Sequence, residues 1–481
     1  MNSKKAEVSS KNLAAFFRKL GECIRSDEIR SQTRKFPNAF VRVFKFPWFD
    51  VLYYFIFRHA SCTQSEISAF YADIGKPKLR ISKQAVFKAV NKVRPEVFCV
   101  LIRKFAELFY RSPLVKKYKG YVLLAADGTT NEFVASDDSL DLFGFSSNQY
   151  VKTAESALKA TSKSEALYDV TNGLVVDFSM NQFKDSEIPI VIKMLQRSHD
   201  LFAKLKTIFL ADRYYPSVEL FALLESIGFK YCIRGKSNFF KKQIQQMKSD
   251  DEWIVITLNN AWLKRLKYDW ARKRFTENPV IRIRVVRQKY TYIDQNGKNC
   301  SAELIYFTNL SEKEFSKQEL VVLYSKRWDL EVTYKTLKTD QEWERYFSEV
   351  CDVERCCIYS KILFHNIVGV VRKEMNQYLE TDDTGKPCTY SYVVNIAQLD
   401  NMMREYGILR YLRSGNTNAI VNLLDLIYEQ RHKIKVPVRP NRHNQRWGRP
   451  VTTNSPMRFR VDGRNWPKVT ISNGCLRTVR P

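Results

Sequence analysis

Three acidic side chains far apart in the chain, Asp127, Asp212 and Glu331, are of a type and placement that suits phosphate chemistry. Asp127 begins Asp127-Gly128-Thr129-Thr130 after the apolar run Tyr121–Ala126, and Asp212 follows the apolar run Thr207–Ala211. Glu331 lies in Tyr324–Lys338 (YSKRWDLEVTYKTLK), which has no Gly or Pro and reads as one amphipathic helix. At about 100° per residue, Tyr324, Arg327, Glu331, Tyr334 and Lys338 fall in a stripe under about 90° wide. Leu323, Leu330 and Leu337 form an apolar stripe beside it. One edge of this helix is therefore expected in a core, while the next offers a carboxylate among two cations and two phenols. Three gathered carboxylates repel one another and do poor acid–base work alone. Around Mg²⁺ or Mn²⁺ they become useful, because these ions prefer carboxylate and water and leave positions for a phosphate. Two such ions, roughly 3.5–4 Å apart, activate a water or a 3′-hydroxyl and stabilise the leaving oxygen of an in-line displacement. Each acid also has a plain alternative: a strand-end Asp caps the following turn, and Glu331 pairs with Arg327 or Lys335 on a solvated face. No Ser/His/Asp or Cys/His set appears, and the five histidines are scattered.

The elements that must position these acids can be read from periodicity. Tyr121–Ala126, Thr207–Ala211 and Tyr231–Ile233 are short, predominantly apolar runs, as in strands buried on both faces. The last opens onto Arg234-Gly235-Lys236. Glu165–Met180 holds two β runs joined at Thr171-Asn172-Gly173, where Asn-Gly signals a hairpin. Helices are expected at 186–202 and 217–227, the second closed by Gly228. The order is strand, hairpin, helix, strand, helix, strand: a mixed five-stranded α/β sheet in which right-handed crossovers place the first and fourth strands side by side. Residues 136–163 read as a loop. Residues 236–318 form a β-rich, basic insertion carrying Trp253, Trp262 and Trp270, with a turn at Asn296-Gly297. An indole there suits stacking on an extruded base, and equally suits core packing. A long apolar helix at about 352–379 buttresses the sheet.

The ends have a different character. A helix after Pro47 and another at 95–116 belong to an N-terminal helical domain, 1–115. Within it, helix 65–75, the basic turn KPKLR and a helix capped by Ser82 form a helix-turn-helix-like pair at about 65–94. The second helix turns Val86, Val90 and Val93 inward and Lys83, Gln84, Lys88 and Asn91 outward, types that read base edges and phosphates in a major groove. An ordinary helical pair with a solvated basic face fits the same pattern. Residues 381–430 read as helical, and 431–481 as a flexible basic tail with Trp447 and Trp466.

Composition narrows the partner. The 481 residues carry 79 basic against 51 acidic side chains, a net charge of +28, so nucleic acid or an anionic membrane surface is the expected partner, with membrane the weaker option. No apolar run is long enough to span a membrane, and the N-terminus lacks a signal-peptide core. The ten cysteines are irregularly spaced, which suits reduced thiols in a cytosol; Cys351, Cys356, Cys357 and His365 match no standard zinc spacing.

These motifs together resemble the IS4 family of DDE transposases, whose core is RNase H-like. That family's third-acid motif, Tyr, two residues, Arg, three residues, Glu, six residues, Lys, is complete here as Tyr324, Arg327, Glu331 and Lys338. Asp127-Gly128-Thr129 resembles its first-acid motif and Asp212-Arg213-Tyr214-Tyr215 its second, and the resemblance covers about residues 35–380. It implies an RNase H-like core at 116–235 and 319–380 with Asp127, Asp212 and Glu331 holding two Mg²⁺ or Mn²⁺ ions. It further implies cleavage at element ends, 3′-OH attack on target DNA, a homodimeric synaptic complex on terminal inverted repeats, and a prokaryotic cytoplasmic, nucleoid-associated setting. Tyr324, Arg327 and Lys338 would then hold terminal phosphates, with Arg213, Arg234 and Lys236 as further DNA contacts. A nuclease that cuts without joining, and a repressor-like protein using only its N-terminal helices, are the rival readings.

Overall fold

The apolar runs become strands of one mixed eight-stranded sheet in the order β3-β2-β1-β4-β5-β8-β7-β6. Its members are β1 (Val122–Val134), β2 (Lys159–Asp169), β3 (Leu174–Gln182), β4 (Thr207–Ala211), β5 (Lys230–Gly235), β6 (Asp251–Thr257), β7 (Val280–Ile293) and β8 (Asn299–Thr308). The computed structural model describes residues 2–42, 45–58, 63–145, 159–236, 238–293, 299–339, 341–377, 379, 390–438, 468–472 and 475–479. β1 pairs in parallel with β4, β4 in parallel with β5, and β2 lies antiparallel between β1 and β3. This five-stranded half is RNase H-like. Its hairpin turns where Gly173 takes φ +72°, a conformation that suits glycine.

The insertion does not stand apart from this sheet. β8 pairs antiparallel with β5, from Cys232↔Thr308 to Gly235↔Ile305, so β6, β7 and β8 extend it. The expected turn at Asn296-Gly297 lies outside the described residues. Arg284 on β7, fully buried, donates to both Asp251 carboxylate oxygens at 2.7 Å and to the Leu310 and Phe315 carbonyls. The insertion is thereby tied to the segment that leads into the Glu331 region.

Two cores sandwich the sheet. Leu124, Ala126, Phe209 and Ala211 pack beneath helices Glu187–Ser198 and Val218–Ser226. Leu123, Ala125, Ile208 and Leu210 face the other core, built on helix Cys351–Asn376. That 26-residue helix is buried on nearly every side, polar residues such as Glu354, Lys361 and Asn366 included. Its Asn366 amide exchanges two 2.8 Å bonds with Val175 on β3, covering backbone groups of that edge strand. Helices Trp48–Phe57, Glu96–Tyr110 and Thr417–Glu429 bury Leu52, Phe55, Phe98, Phe105, Ile420 and Leu424 in the same core, so the two ends of the chain share it with the sheet.

Several sequence expectations change. Residues 137–143 form a helix capped by Ser136, and β2 begins at Lys159, where a loop was expected. Residues 146–158 lie outside the description. β1 does not stop at Ala126 but continues to Val134, because β2 pairs with it throughout. Of the expected tail, Lys435–Pro437 pairs with Tyr392–Val394, and Lys468–Ser472 with Cys475–Val479. Trp447 and Trp466 lie outside the described residues. The cysteines of helix Cys351–Asn376 are buried free thiols. Among the described residues no helix is long and apolar enough to cross a membrane.

Candidate active site

The parallel ladder between β1 and β4 ends at Ala126↔Ala211. Asp127 and Asp212 are the next residues on the two strands, so the register itself brings the first two acids side by side. β5 adds Arg234, which follows Ile233, the partner of Ala211. Asp212 turns away from the sheet, and its carboxylate accepts the Tyr214 backbone N–H at 3.0 Å.

The third acid arrives by a break in the expected helix. Tyr324–Lys338 is not one helix: Lys317–Ser325 ends, the chain makes a tight turn through Lys326 and Arg327, and Trp328–Thr339 begins. The turn runs on i→i−3 bonds, Arg327 N–H to Tyr324 C=O at 3.0 Å and Leu330 N–H to Arg327 C=O at 3.1 Å. No Gly or Pro marks it, so tertiary packing sets it. Leu330 and Leu337 are buried against the sheet as expected. Thr333 bonds the Tyr168 hydroxyl at 2.9 Å, and the Tyr334 hydroxyl donates to the Asp127 carbonyl at 2.7 Å. These contacts hold the Glu331 helix directly over β1.

Arg327 is the hinge of the arrangement. Its side chain is 7% exposed, and it donates to Glu331 at 2.6 Å and to Asp127 at 3.4 Å. Burial works against its charge, but Tyr324, Glu331 and Asp127 outweigh that and raise its pKa. Burial pushes the Asp127 carboxyl up to about 6; Arg327 opposes the shift, while Glu331 and Asp212 add to it. The three acids therefore feel one another. Among the described residues, however, no three Asp, Glu, His or Cys side chains are close enough to share an ion. A guanidinium instead stands between two of the three acids, a cation where carboxylates would hold a divalent one. All three offer the hard oxygens that Mg²⁺ or Mn²⁺ takes, so the donor set fits the ion in kind.

The other expected contacts divide. Tyr324 packs on Tyr306 at 5.0 Å and under Arg327 at 5.7 Å. Lys338 does not point free: its ammonium donates to the Thr130 carbonyl at 2.6 Å, with Glu344 at 3.9 Å. Arg213 and Lys236 are exposed around the Tyr214 ring, at 5.4 and 4.1 Å. Lys83, Gln84, Lys88 and Asn91 lie exposed on and just after helix Lys83–Val90, well along the chain from the acids, with Val86, Val90 and Val93 buried. The insertion tryptophans are all partly buried: Trp253 under Arg282, Trp262 against Phe240, and Trp270 stacked on Tyr268.

Sequence reasoning missed Glu165 and Tyr215, whose buried hydrogen bond lies behind Asp127. A signal was present: Glu165 is an acid set directly before the apolar run Ala166-Leu167-Tyr168, on a strand that is buried on both faces. It also missed Glu344, which accepts from Asn131 and from the Glu132 backbone and so straps the segment after the Glu331 helix to β1.

Residues 118–351, which contain all three acids and the insertion, match the family model described as the transposase DDE domain. Among curated proteins none matches the chain. Among solved structures the chain is similar to the piggyBac transposase, seen by cryo-EM in a synaptic complex with hairpin DNA. That similarity is 11% identity over 93% of this chain and 88% of the other, with a TM-score of 0.36.

Proposed function

We propose that this chain is a DNA transposase of the IS4 type, which cleaves strands at the ends of an insertion element and joins the freed 3′-OH to target DNA. The observation that supports the reading is that Arg327 bonds both Asp127 and Glu331 while the β1–β4 ladder sets Asp212 on the strand beside Asp127, inside the stretch that matches the transposase DDE domain. Asp127, Asp212 and Glu331 would hold the divalent ions, Mg²⁺ or Mn²⁺ and two in number. When bound, these supply charge neutralisation at the phosphoryl oxygens and an activated water or 3′-hydroxyl. Arg327 leaves the carboxylates as they are neutralised and turns its fork to a DNA phosphate, the bidentate partner guanidinium suits best. Tyr324 supports that guanidinium from below. Lys338 exchanges the Thr130 carbonyl for backbone phosphate, and Arg213, Arg234 and Lys236 extend the basic rim along the same edge. The helix carrying Lys83, Gln84, Lys88 and Asn91 reads the terminal repeats, and the charge of +28 supports broad phosphate contact. A homodimer pairing two ends, acting on DNA in a prokaryotic cytoplasm, completes the proposal.

The test is an incubation of the protein with Mg²⁺ and a duplex carrying the inverted repeats that flank its gene. Cleavage at the repeat boundary followed by joining to a second duplex is expected. Cutting without joining would favour the nuclease reading, and binding without cutting the repressor-like one.

A further inference from the structure

Glu165 on β2 is completely buried, an unusual place for an acid without a paired cation. Its Oε2 accepts the Tyr215 hydroxyl at 3.0 Å, and Oε1 has no hydrogen-bond partner among the described residues. Burial and then the nearby Glu187 push its carboxyl up to about 9, with Asp127 adding to the shift and Tyr215 and Lys163 opposing it. Burial and Glu187 both favour the protonated, neutral form of this side chain. Tyr215 is buried too, and its backbone N–H closes on the Asp212 carbonyl at 3.2 Å.

The position of this pair matters because of how the sheet splits. Up to Ala126↔Ala211, β1 and β4 are held together by their ladder. Beyond it β1 pairs only with β2, Asp127 opposite Ala166 and Gly128 opposite Glu165, while Asp212 has left the sheet. The two acids thus stand on either side of a fork. The Tyr215–Glu165 bond spans it, running from the Asp212 turn across β1 to β2. Gly128 makes room for the crossing: a Cβ there would lie 2.8 Å from Glu165 Oε1 and 3.4 Å from Glu187 Oε1. This assigns a steric task to the glycine of Asp127-Gly128-Thr129.

We infer that Glu165 and Tyr215 are positioning residues, a brace that sets the separation of Asp127 and Asp212 for metal binding. The inference rests on the catalytic reading of the acids given above and adds the part that spaces them. Neither residue touches DNA or ion; both act through the turn that carries Asp212 and the strand that carries Asp127.

The full-length protein and its Tyr215→Phe, Glu165→Gln and Glu165→Ala variants test it by two readouts. One is Mn²⁺ affinity by titration calorimetry, and the other is the Mn²⁺ concentration giving half-maximal DNA cleavage. Tyr215→Phe and Glu165→Ala are expected to weaken Mn²⁺ binding about 10-fold or more, the usual effect of losing a group that orients a ligand. The half-maximal concentration should rise in step. Glu165→Gln keeps a neutral acid's shape and its acceptor, and should stay close to wild type. Tyr215→Phe removes one hydroxyl and little packing, so it carries the test if Glu165→Ala fails to fold. Wild-type Mn²⁺ affinity in a folded Tyr215→Phe protein overturns the brace and leaves the catalytic reading standing. A wild-type protein that neither binds Mn²⁺ nor cuts DNA overturns the catalytic reading, and the brace with it.

Discussion

Replacing Arg327 with methionine should destabilise the protein in a way that divalent metal repairs. The guanidinium is 7% exposed and joins Asp127 and Glu331, themselves 20% and 32% exposed. Removing one partner of a fully buried pair costs about 3–5 kcal/mol. Here water reaches both carboxylates and screens them, which brings the expected loss to about 1–3 kcal/mol. Methionine keeps most of the volume, so the deficit is electrostatic: two carboxylates lose the cation between them. A divalent ion can replace that cation. At a concentration about 100 times its Kd, an ion that binds only the folded state adds about 2.7 kcal/mol. In the wild type part of this is offset, because the guanidinium must first be displaced. The assay is urea unfolding of both proteins with and without Mg²⁺ at matched ionic strength. Without metal Arg327→Met should be the less stable; with saturating Mg²⁺ the gap should close or nearly so, while DNA cleavage stays impaired. A deficit of the same size in both conditions would refute the reasoning, since Arg327 and the metal would then not share a place.

Glu331→Gln is expected to abolish metal-dependent cleavage and leave DNA binding nearly unchanged in a gel-shift titration; a variant that still cuts would show the acid is misassigned. Lys83→Ala and Lys88→Ala should each weaken binding of all duplexes alike and lower the salt slope by about 1, read from affinity against log salt concentration. Asp127 holds its proton up to about pH 6 in the folded protein, against an ordinary value of about 4. Its contribution to stability therefore falls as pH rises from about 4 to 6. Mn²⁺ affinity, which needs the carboxylate, should climb through about pH 6 and level off above it. Lys361 is fully enclosed, and burial first, then Arg404 and Arg58, lower its pKa to about 7. The unfolded chain then binds more protons above that pH, so stability should rise from about pH 7 to pH 8.5. Lys361→Met should remove that rise when unfolding midpoints of the two proteins are compared at both pH values.

Much of the fold could be read from local signals. Apolar runs long enough for a buried strand marked β1, β4 and β5, and Asn172-Gly173 marked the hairpin, because a turn's backbone requirement is met by two adjacent residues. Ser82 and Gly228 marked helix ends for the same reason: Ser82 accepts the Ala85 N–H, and Gly228 takes φ +73°. Less legible were features set by partners distant in the chain. β1 runs past Asp127 to Val134 since β2 offers it a continuous ladder, which nothing within Asp127-Gly128-Thr129-Thr130 announces. The tight turn at Lys326-Arg327 carries no breaker residue. The insertion's membership of the main sheet depends on β8 finding β5 about seventy residues away in the chain.

The same division holds at the site. The chain's own text determined which acids are candidates, since strand-end aspartates and a glutamate amid cations are visible as residue types at set spacings. It also determined the basic character that directs the protein to polyanions. Tertiary structure alone decided that Arg327 lies between Asp127 and Glu331, that Lys338 bonds a strand carbonyl, and that Glu165 reaches Tyr215 across Gly128. The physical reason is that periodicity states which way a side chain leaves its own element. What it meets there depends on strand register and helix docking, which are settled by burial summed over the whole core.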